Sequence, residues 1–189
     1  MTVLHNQEII WKKFKRGNQS AFSTVYHHFY PSLYFFAVKA TVHPEIAQEC
    51  VQELFVTLWS SRKRLGDVAE IKPYLFKSLR RIIHRYAVSR THRTPLAEED
   101  YCALTFSPED FLIQAEEDTY RQHTLAEMLN QLPARQREAV YLKYYEGLTY
   151  SQIAEVLHIN YQSVVNLIYQ AFQQLRKQPA LHKLITLSE

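Results

Sequence analysis

Glycine is scarce in this chain, with only 3 among 189 residues, and proline contributes 7. Tight β-hairpins draw on glycine at positive φ, so an all-β sandwich or barrel is disfavoured from the outset. Cysteine is as sparse: Cys50 and Cys102 lie far apart, with no second Cys or His at ligand spacing, which speaks against a disulfide framework and a zinc site. Three scattered glycines cannot make a phosphate-cradling loop. The 9 histidines form no His-Glu-x-x-His pattern, and no Ser, Cys or Thr sits in a nucleophile motif. The expectation is therefore no enzyme, no cofactor and no metal. Long hydrophobic runs are missing too. The first residues hold only Ile9, Ile10 and Trp11 as an apolar cluster, far short of a signal-peptide core or a spanning helix, so a cytoplasmic protein is expected.

What is present is apolar material at helical spacing, with 47% hydrophobic residues, and a charge pattern hidden by the net +3. Residues 1–93 carry 15 basic and 6 acidic side chains; residues 94–120 carry 8 acids and no base; residues 121–189 carry 7 bases and 5 acids. Within the first part, Lys72, Lys77, Arg80, Arg81, Arg85, Arg90 and Arg93 follow one another with no acid between them, a run that attracts polyanions. Tyr74, Phe76 and Tyr86 are interleaved. These rings either stack on unpaired bases or belong to the core. Thr94-Pro95 breaks any helix, and Ser107-Pro108-Glu109-Asp110 reads as a helix start, so a flexible connection is placed at about 91–106.

Two small helical domains follow: 1–93, an acidic linker over 94–120, and 121–189. In the first, Ala21, Phe22, Val25, Phe29, Leu33, Phe36, Ala37 and Ala40 repeat every three or four residues. Ala47, Cys50, Val51, Leu54, Phe55 and Leu58 do so after Pro44, and Tyr74, Leu75, Leu79, Ile82, Ile83 and Tyr86 run through the basic segment. In the second, Pro133 opens a helix that Gly147 stops. Thr149 and Gln152 then satisfy a capping box, and Asn160 caps a longer helix from about Tyr161. Two helices joined by His158-Ile159-Asn160 make a helix-turn-helix. Projected at 100° per residue, Val164, Val165, Ile168, Ala171, Phe172 and Leu175 share one face and Ser163, Asn166, Leu167, Gln170, Gln174 and Lys177 the other. The second face, with Tyr161 and Gln162 at the helix start, is either an ordinary polar surface or one that reads a major groove. Asn and Gln can bond the adenine edge and Leu can touch a thymine methyl.

Three blocks resemble a known family. Ala47-Gln48-Glu49-Cys50-Val51-Gln52-Glu53-Leu54-Phe55 with Leu58-Trp59 is similar to the second region of bacterial sigma factors of the extracytoplasmic-function group. Ile71-Lys72-Pro73-Tyr74-Leu75-Phe76, leading to Arg80 and Tyr86, resembles the promoter-melting helix that follows it. Leu132-Pro133-Ala134-Arg135-Gln136-Arg137-Glu138, Tyr144-Tyr145-Glu146-Gly147-Leu148-Thr149-Tyr150 and Ile153-Ala154-Glu155 resemble the fourth region, which binds the minus-35 element. The resemblance implies an all-α protein of two domains, the second a helix-turn-helix of winged-helix-like type.

It further implies binding to core RNA polymerase, through the β′ clamp helices and the β flap, and to promoter DNA. Gln52, Glu53, Leu54 and Trp59 are then the polymerase contacts, with Trp59 as core residue the alternative. Lys72, Tyr74, Lys77, Arg80, Arg81, Arg85 and Tyr86 would hold the unpaired minus-10 strand, and the loop 65–70 would line a pocket for one base. An anti-sigma factor, in this family often membrane-anchored, is the implied regulator, and the acidic linker either mimics nucleic acid inside polymerase or is a spacer. The family often has Asn and Asp where this chain has Arg81 and Arg85, basic residues where it has Val165, Leu167, Gln170 and Phe172, and Gly where it has His158. A conventional regulator, binding duplex DNA without polymerase, is the competing expectation; it leaves the basic aromatic helix without a purpose.

Overall fold

The computed structural model describes residues 6–91, 104–111 and 118–180. Eight α-helices run in the order α1 Gln7–Lys15, α2 Gln19–Thr41, α3 Pro44–Ser61, α4 Ile71–Thr91, α5 Asp118–Asn130, α6 Ala134–Tyr144, α7 Tyr150–Leu157 and α8 Tyr161–Arg176. Short 3-10 turns occur at Arg62–Arg64 and Pro108–Asp110. No strand occurs among the described residues, so the helix-turn-helix stands there without the β-wing that a winged-helix comparison implies. The chain divides into two compact units, with the main division between Tyr101 and Cys102.

The first unit is built on α2 and α3. Asn18 caps α2, its Oδ1 accepting from the Ala21 N–H at 2.8 Å, and Gly17 at φ +89° makes the turn out of α1. Apolar residues of α2 and α3 bury Val25, Phe29, Leu33, Phe36, Val51 and Leu54 to 3% exposure or less. Pro31 lies mid-helix in α2 on its exposed side. Burying a side chain of this size contributes about 1.5–3 kcal/mol, so the packed flanks outweigh the roughly 3 kcal/mol that an interior proline costs. Helix α1 was not expected from the sequence. It adds Trp11 and Phe14, exposed by 1% and 0%, to an aromatic cluster with Phe22, Trp59 and Tyr74.

Val42 ends α2 at φ +63°, a left-handed conformation that a β-branched residue adopts only under strain. Its side chain is 65% exposed, so little packing holds it there. Replacing Val42 with Gly is expected to raise the unfolding free energy by about 0.5–1 kcal/mol, strain relief set against glycine's backbone entropy. Urea unfolding would show a higher midpoint; a lower one would mean that the valine side chain contributes contacts exceeding the strain. His158, which ends α7, sits in the same region at φ +56°, as a helix-turn-helix without glycine in the turn requires.

The second unit gathers α5 to α8 around Leu129, Ala139, Leu142, Ile153, Val164, Ile168 and Ala171. It also takes in part of what was expected to be linker. Leu104 and Phe106 are 0% and 2% exposed, and the Asn130 side chain clamps the Phe106 backbone. Its Oδ1 accepts from the N–H at 2.9 Å and its Nδ2 donates to the C=O at 2.8 Å. Phe106 stacks with Phe111 and meets Tyr141 and Tyr145. The linker over 94–120 is thus corrected: 104–111 is packed structure, held by pairings that local sequence does not reveal. The helix start at Ser107 is corrected as well, since the turn it caps is a 3-10 turn, Pro108–Asp110, that Phe111 leaves in an extended conformation. Residues 92–103, where the flexible connection was placed, and Glu116 and Glu117 lie outside the described residues.

Candidate polymerase and nucleic-acid surfaces

Helix α4 separates the seven residues expected to hold a DNA strand. Tyr74, Lys77 and Arg81 lie on one face at spacings of three and four; Lys77 is half-buried and Arg81 exposed. Neither makes an ion pair or hydrogen bond among the described residues, which leaves two cations facing outward. Arg80 is half-buried on the flank. Lys72 turns the other way: its ammonium lies 5.8 Å from the Phe76 ring centre, and it acts on His28, whose pKa is lowered first by burial and then by this charge. Tyr74 packs its ring edge-on against Trp11 at 5.4 Å.

The last two residues of the set are tied to α3. Arg85 forms an ion pair with Glu53, and the Tyr86 hydroxyl donates to the Glu49 carboxylate at 2.8 Å. Both partners of the Arg85–Glu53 pair are well exposed, so it contributes about 0–1 kcal/mol. Its consequence is positional, since it joins a residue of the expected polymerase face to one of the expected DNA face.

On α3, Gln48, Glu49, Gln52, Glu53, Val56 and Thr57 look outward. Val56 is 68% exposed, an apolar residue that the sequence reading placed in neither the core series nor the polymerase contacts. Leu54 is 2% exposed and belongs to the core; as a surface contact it is a correction. Trp59 is half-buried: it packs on Phe22 at 5.0 Å and Phe14 at 6.2 Å, and the Arg62 guanidinium lies over its ring at 4.3 Å. The core alternative weighed for it thus describes most of its surface. Beside Leu54, the Cys50 thiol is pushed up to about 11 by burial and then by Glu53 and Glu49, so it stays protonated and unreactive.

The loop 65–70 is held at three points by α1. Trp11 Nε1 donates to the Gly66 carbonyl at 2.9 Å, Lys15 Nζ pairs with Asp67 at 2.7 Å, and Gln7 Oε1 accepts from the Ile71 N–H at 2.9 Å. Gln7, Trp11 and Lys15 stand four residues apart, so one stripe of α1 splints the whole loop. Nothing in the local sequence announces this.

In the second unit the helix-turn-helix forms as its caps dictate. Thr149 Oγ1 accepts from the Gln152 N–H, the Gln152 side chain accepts from the Thr149 N–H, and Asn160 Oδ1 accepts from the Ser163 N–H at 2.7 Å. Ser163, Asn166, Leu167 and Gln170 line one open depression with Arg135 and Ile159. Gln162, Gln174 and Lys177 are exposed further along α8, and Tyr161 instead turns edge-on to Tyr150 at 5.9 Å. Gln136 Nε2 donates to Gln170 Oε1 at 3.3 Å, which holds the Gln170 side chain from α6. Arg135 was missed as a site residue because it precedes the helix-turn-helix by a full helix. Val165 and Leu175 are half-buried and Phe172 is 38% exposed, so the buried face of α8 is narrower than its projection predicted.

Comparison with known proteins gives the family. Residues 25–93 match the model of sigma-70 region 2, and residues 122–175 that of sigma-70 region 4, which defines a promoter-recognition subunit of RNA polymerase. The chain belongs to the extracytoplasmic-function (ECF) group of the sigma-70 family. It is similar to the ECF RNA polymerase sigma factor SigK of Mycolicibacterium vanbaalenii, at 25% identity over 179 residues, covering 90% of this chain and 87% of that one. It also resembles the RNA polymerase sigma factor SigV of Bacillus subtilis, at 26% identity over 132 residues, covering 70% and 75%. Two solved structures share the fold. CnrH in complex with the cytosolic domain of CnrY gives a TM-score of 0.62 at 19% identity, covering 90% of this chain and 94% of that one. RpoE in complex with the anti-sigma factor NepR from Bartonella quintana gives 0.59 at 18%, covering 89% and 98%. No helix among the described residues is long and apolar enough to cross a membrane.

Proposed function

We propose that the first unit uses the outer face of α3 for polymerase and the outward stripe of α4 for the unpaired minus-10 strand, while α8 reads the minus-35 duplex. The observation that carries this division is the separation of the two faces. Gln52 and Val56 point outward from α3 and, apart from the Glu53–Arg85 pair that bridges the two helices, Lys77 and Arg81 point outward from α4 with no acid paired to them among the described residues. Opening DNA costs a few kcal/mol per flipped base, and cations on the released strand offset that cost. Arg80 supports them from the flank; Lys72, Tyr74, Arg85 and Tyr86 shape the helix that presents them. The chain acts by binding alone, without catalysis, in the cytoplasm where polymerase works. Because both structural neighbours named above are bound by partner proteins, one an anti-sigma factor, an anti-sigma protein covering the α3 face of this chain is proposed as its regulator.

The test is run-off transcription by core RNA polymerase on a library of promoter-length duplexes, with and without the chain. Transcripts that require the chain support the proposal and supply the promoter sequence; duplex binding by the chain alone, with no transcription, would favour a conventional regulator. On the promoter so found, Asn166→Ala and Gln170→Ala are each expected to lose about 1–3 kcal/mol of discrimination at one or two upstream base pairs. Competition binding with single-base variants measures this. An equal loss on every sequence would mean that α8 contacts the backbone only.

A further inference from the structure

Apart from Lys39 in α2, seven basic residues among the described part of the first unit stand outside α4 and have no part in the function above: Lys12, Lys13, Lys15 and Arg16 around the end of α1, and Arg62, Lys63 and Arg64 in the 3-10 turn after α3. They are distant in sequence, yet Lys12, Lys15, Arg16 and Lys63 line one open cleft with Asp67, and the neighbouring hollow is lined by Glu8, Trp11, Lys12, Asp67, Val68 and Ala69. Lys15 is committed to Asp67, and Lys12 adds to the field that holds that carboxyl below its usual range, after the hydrogen bond and charge of Lys15. Lys12, Arg16 and Lys63 are exposed and make no ion pair among the described residues. One carboxylate against four cations leaves the cleft strongly positive.

The cleft adjoins the surface already assigned to the opened strand. Its floor is the loop 65–70 that α1 splints, and this loop leads straight into α4. Tyr74 shares the face of Lys77 and Arg81, and its ring meets Trp11 of α1, so the basic stripe of α4 runs on to the base of α1. We propose that the cleft of Lys12, Arg16 and Lys63 holds backbone phosphates of single-stranded DNA beyond the segment carried by α4, a second anchor on the same unpaired strand. An acidic protein partner fits less well. Tight protein contacts need buried apolar anchors, and the large rings here, Trp11 and Phe14, are 1% and 0% exposed. Exposed lysines and an arginine at an open cleft suit phosphates, which are bound by charge without a fixed shape. This inference rests on the placement of the minus-10 strand proposed above.

The experiment compares the full chain with its Lys12→Ala/Arg16→Ala/Lys63→Ala variant, each bound to core RNA polymerase. The probes are a fork-junction DNA carrying an unpaired non-template extension, and a duplex that ends upstream of it, over a range of salt. The variant is expected to bind the fork with a salt slope lower by about 2, at about 0.7 per single-strand phosphate, and to bind the upstream duplex as the wild type does. Returning Arg16 and replacing both lysines by arginine should restore the slope. Unchanged slope and affinity on the fork, with a wild type that transcribes, would overturn the cleft while leaving the α4 assignment intact. Weaker binding to core polymerase itself would overturn it in favour of an acidic protein face. A wild type that supports no promoter-dependent transcription would instead sink the functional assignment on which the cleft depends.

Discussion

Replacing Lys77 and Arg81 together by alanine is expected to lower open-complex formation on the cognate promoter by on the order of 10- to 100-fold, which is about 1.4 to 2.7 kcal/mol for the two side chains together. The two side chains are the outward cations of α4 that make no bond within the described chain, so nothing in the free protein compensates their removal. The salt slope should fall by roughly one per side chain, whereas affinity for core polymerase should hold, because α3 is untouched. Arg85→Ala provides the contrast. Its guanidinium is tied to Glu53, so its removal should affect opening less than Arg81→Ala does. Permanganate footprinting of unpaired thymines, titrated against salt, reads all three variants. An Arg85 variant as defective as the Arg81 variant would mean that the Glu53 pair opens in the complex and that Arg85 joins the strand-binding set.

Trp11→Ala is expected to destabilise the first unit by about 3–5 kcal/mol, the usual range for removing a large buried aromatic. Domains of ordinary size have only about 5–15 kcal/mol of stability, so this variant loses a large fraction of it. Trp11 is 1% exposed, touches Phe14 and Tyr74, and holds the Gly66 carbonyl. Trp11→Phe keeps a ring but leaves that carbonyl without its donor, and should cost about 1–3 kcal/mol. The chain has 2 tryptophans, so in either variant Trp59 alone reports the first unit by fluorescence during urea unfolding. A loss below about 1 kcal/mol for Trp11→Ala would show that α1 is dispensable for the fold. The Phe variant should also impair promoter opening more than its stability predicts, because Gly66 belongs to the loop that precedes α4.

Much of this was legible in the residues. The capping pairs Thr149–Gln152 and Asn160–Ser163 act over three positions, so the helix-turn-helix could be placed to the residue. The long apolar series of α2 and α3 overrode even Pro31, because burial along a whole face exceeds one local penalty. Helix α1 was not legible: it spans 9 residues with Trp11 and Phe14 as its buried side chains, too few to set a period. Leu54, set in the apolar series by spacing and among the polymerase contacts by resemblance, was left divided for a related reason. Spacing says which residues share a face, but only the neighbouring helices decide how wide the buried part of that face is.

The sequence by itself determined the helical class, the division into two units, the helix-turn-helix and the family, because each depends on local periodicity, capping or contiguous motifs. Tertiary structure alone decided which charges are committed and which are available. Glu53 meets Arg85 across 32 positions, Glu49 meets Tyr86 across 37, Lys15 meets Asp67 across 52 and Trp11 meets Gly66 across 55. The packing of Leu104 and Phe106 on the second unit, and the gathering of Lys12, Arg16 and Lys63 at one cleft, were decided in the same way. Such pairings form when separate helices bury their apolar faces together, and their partners carry no mark of it in the surrounding chain.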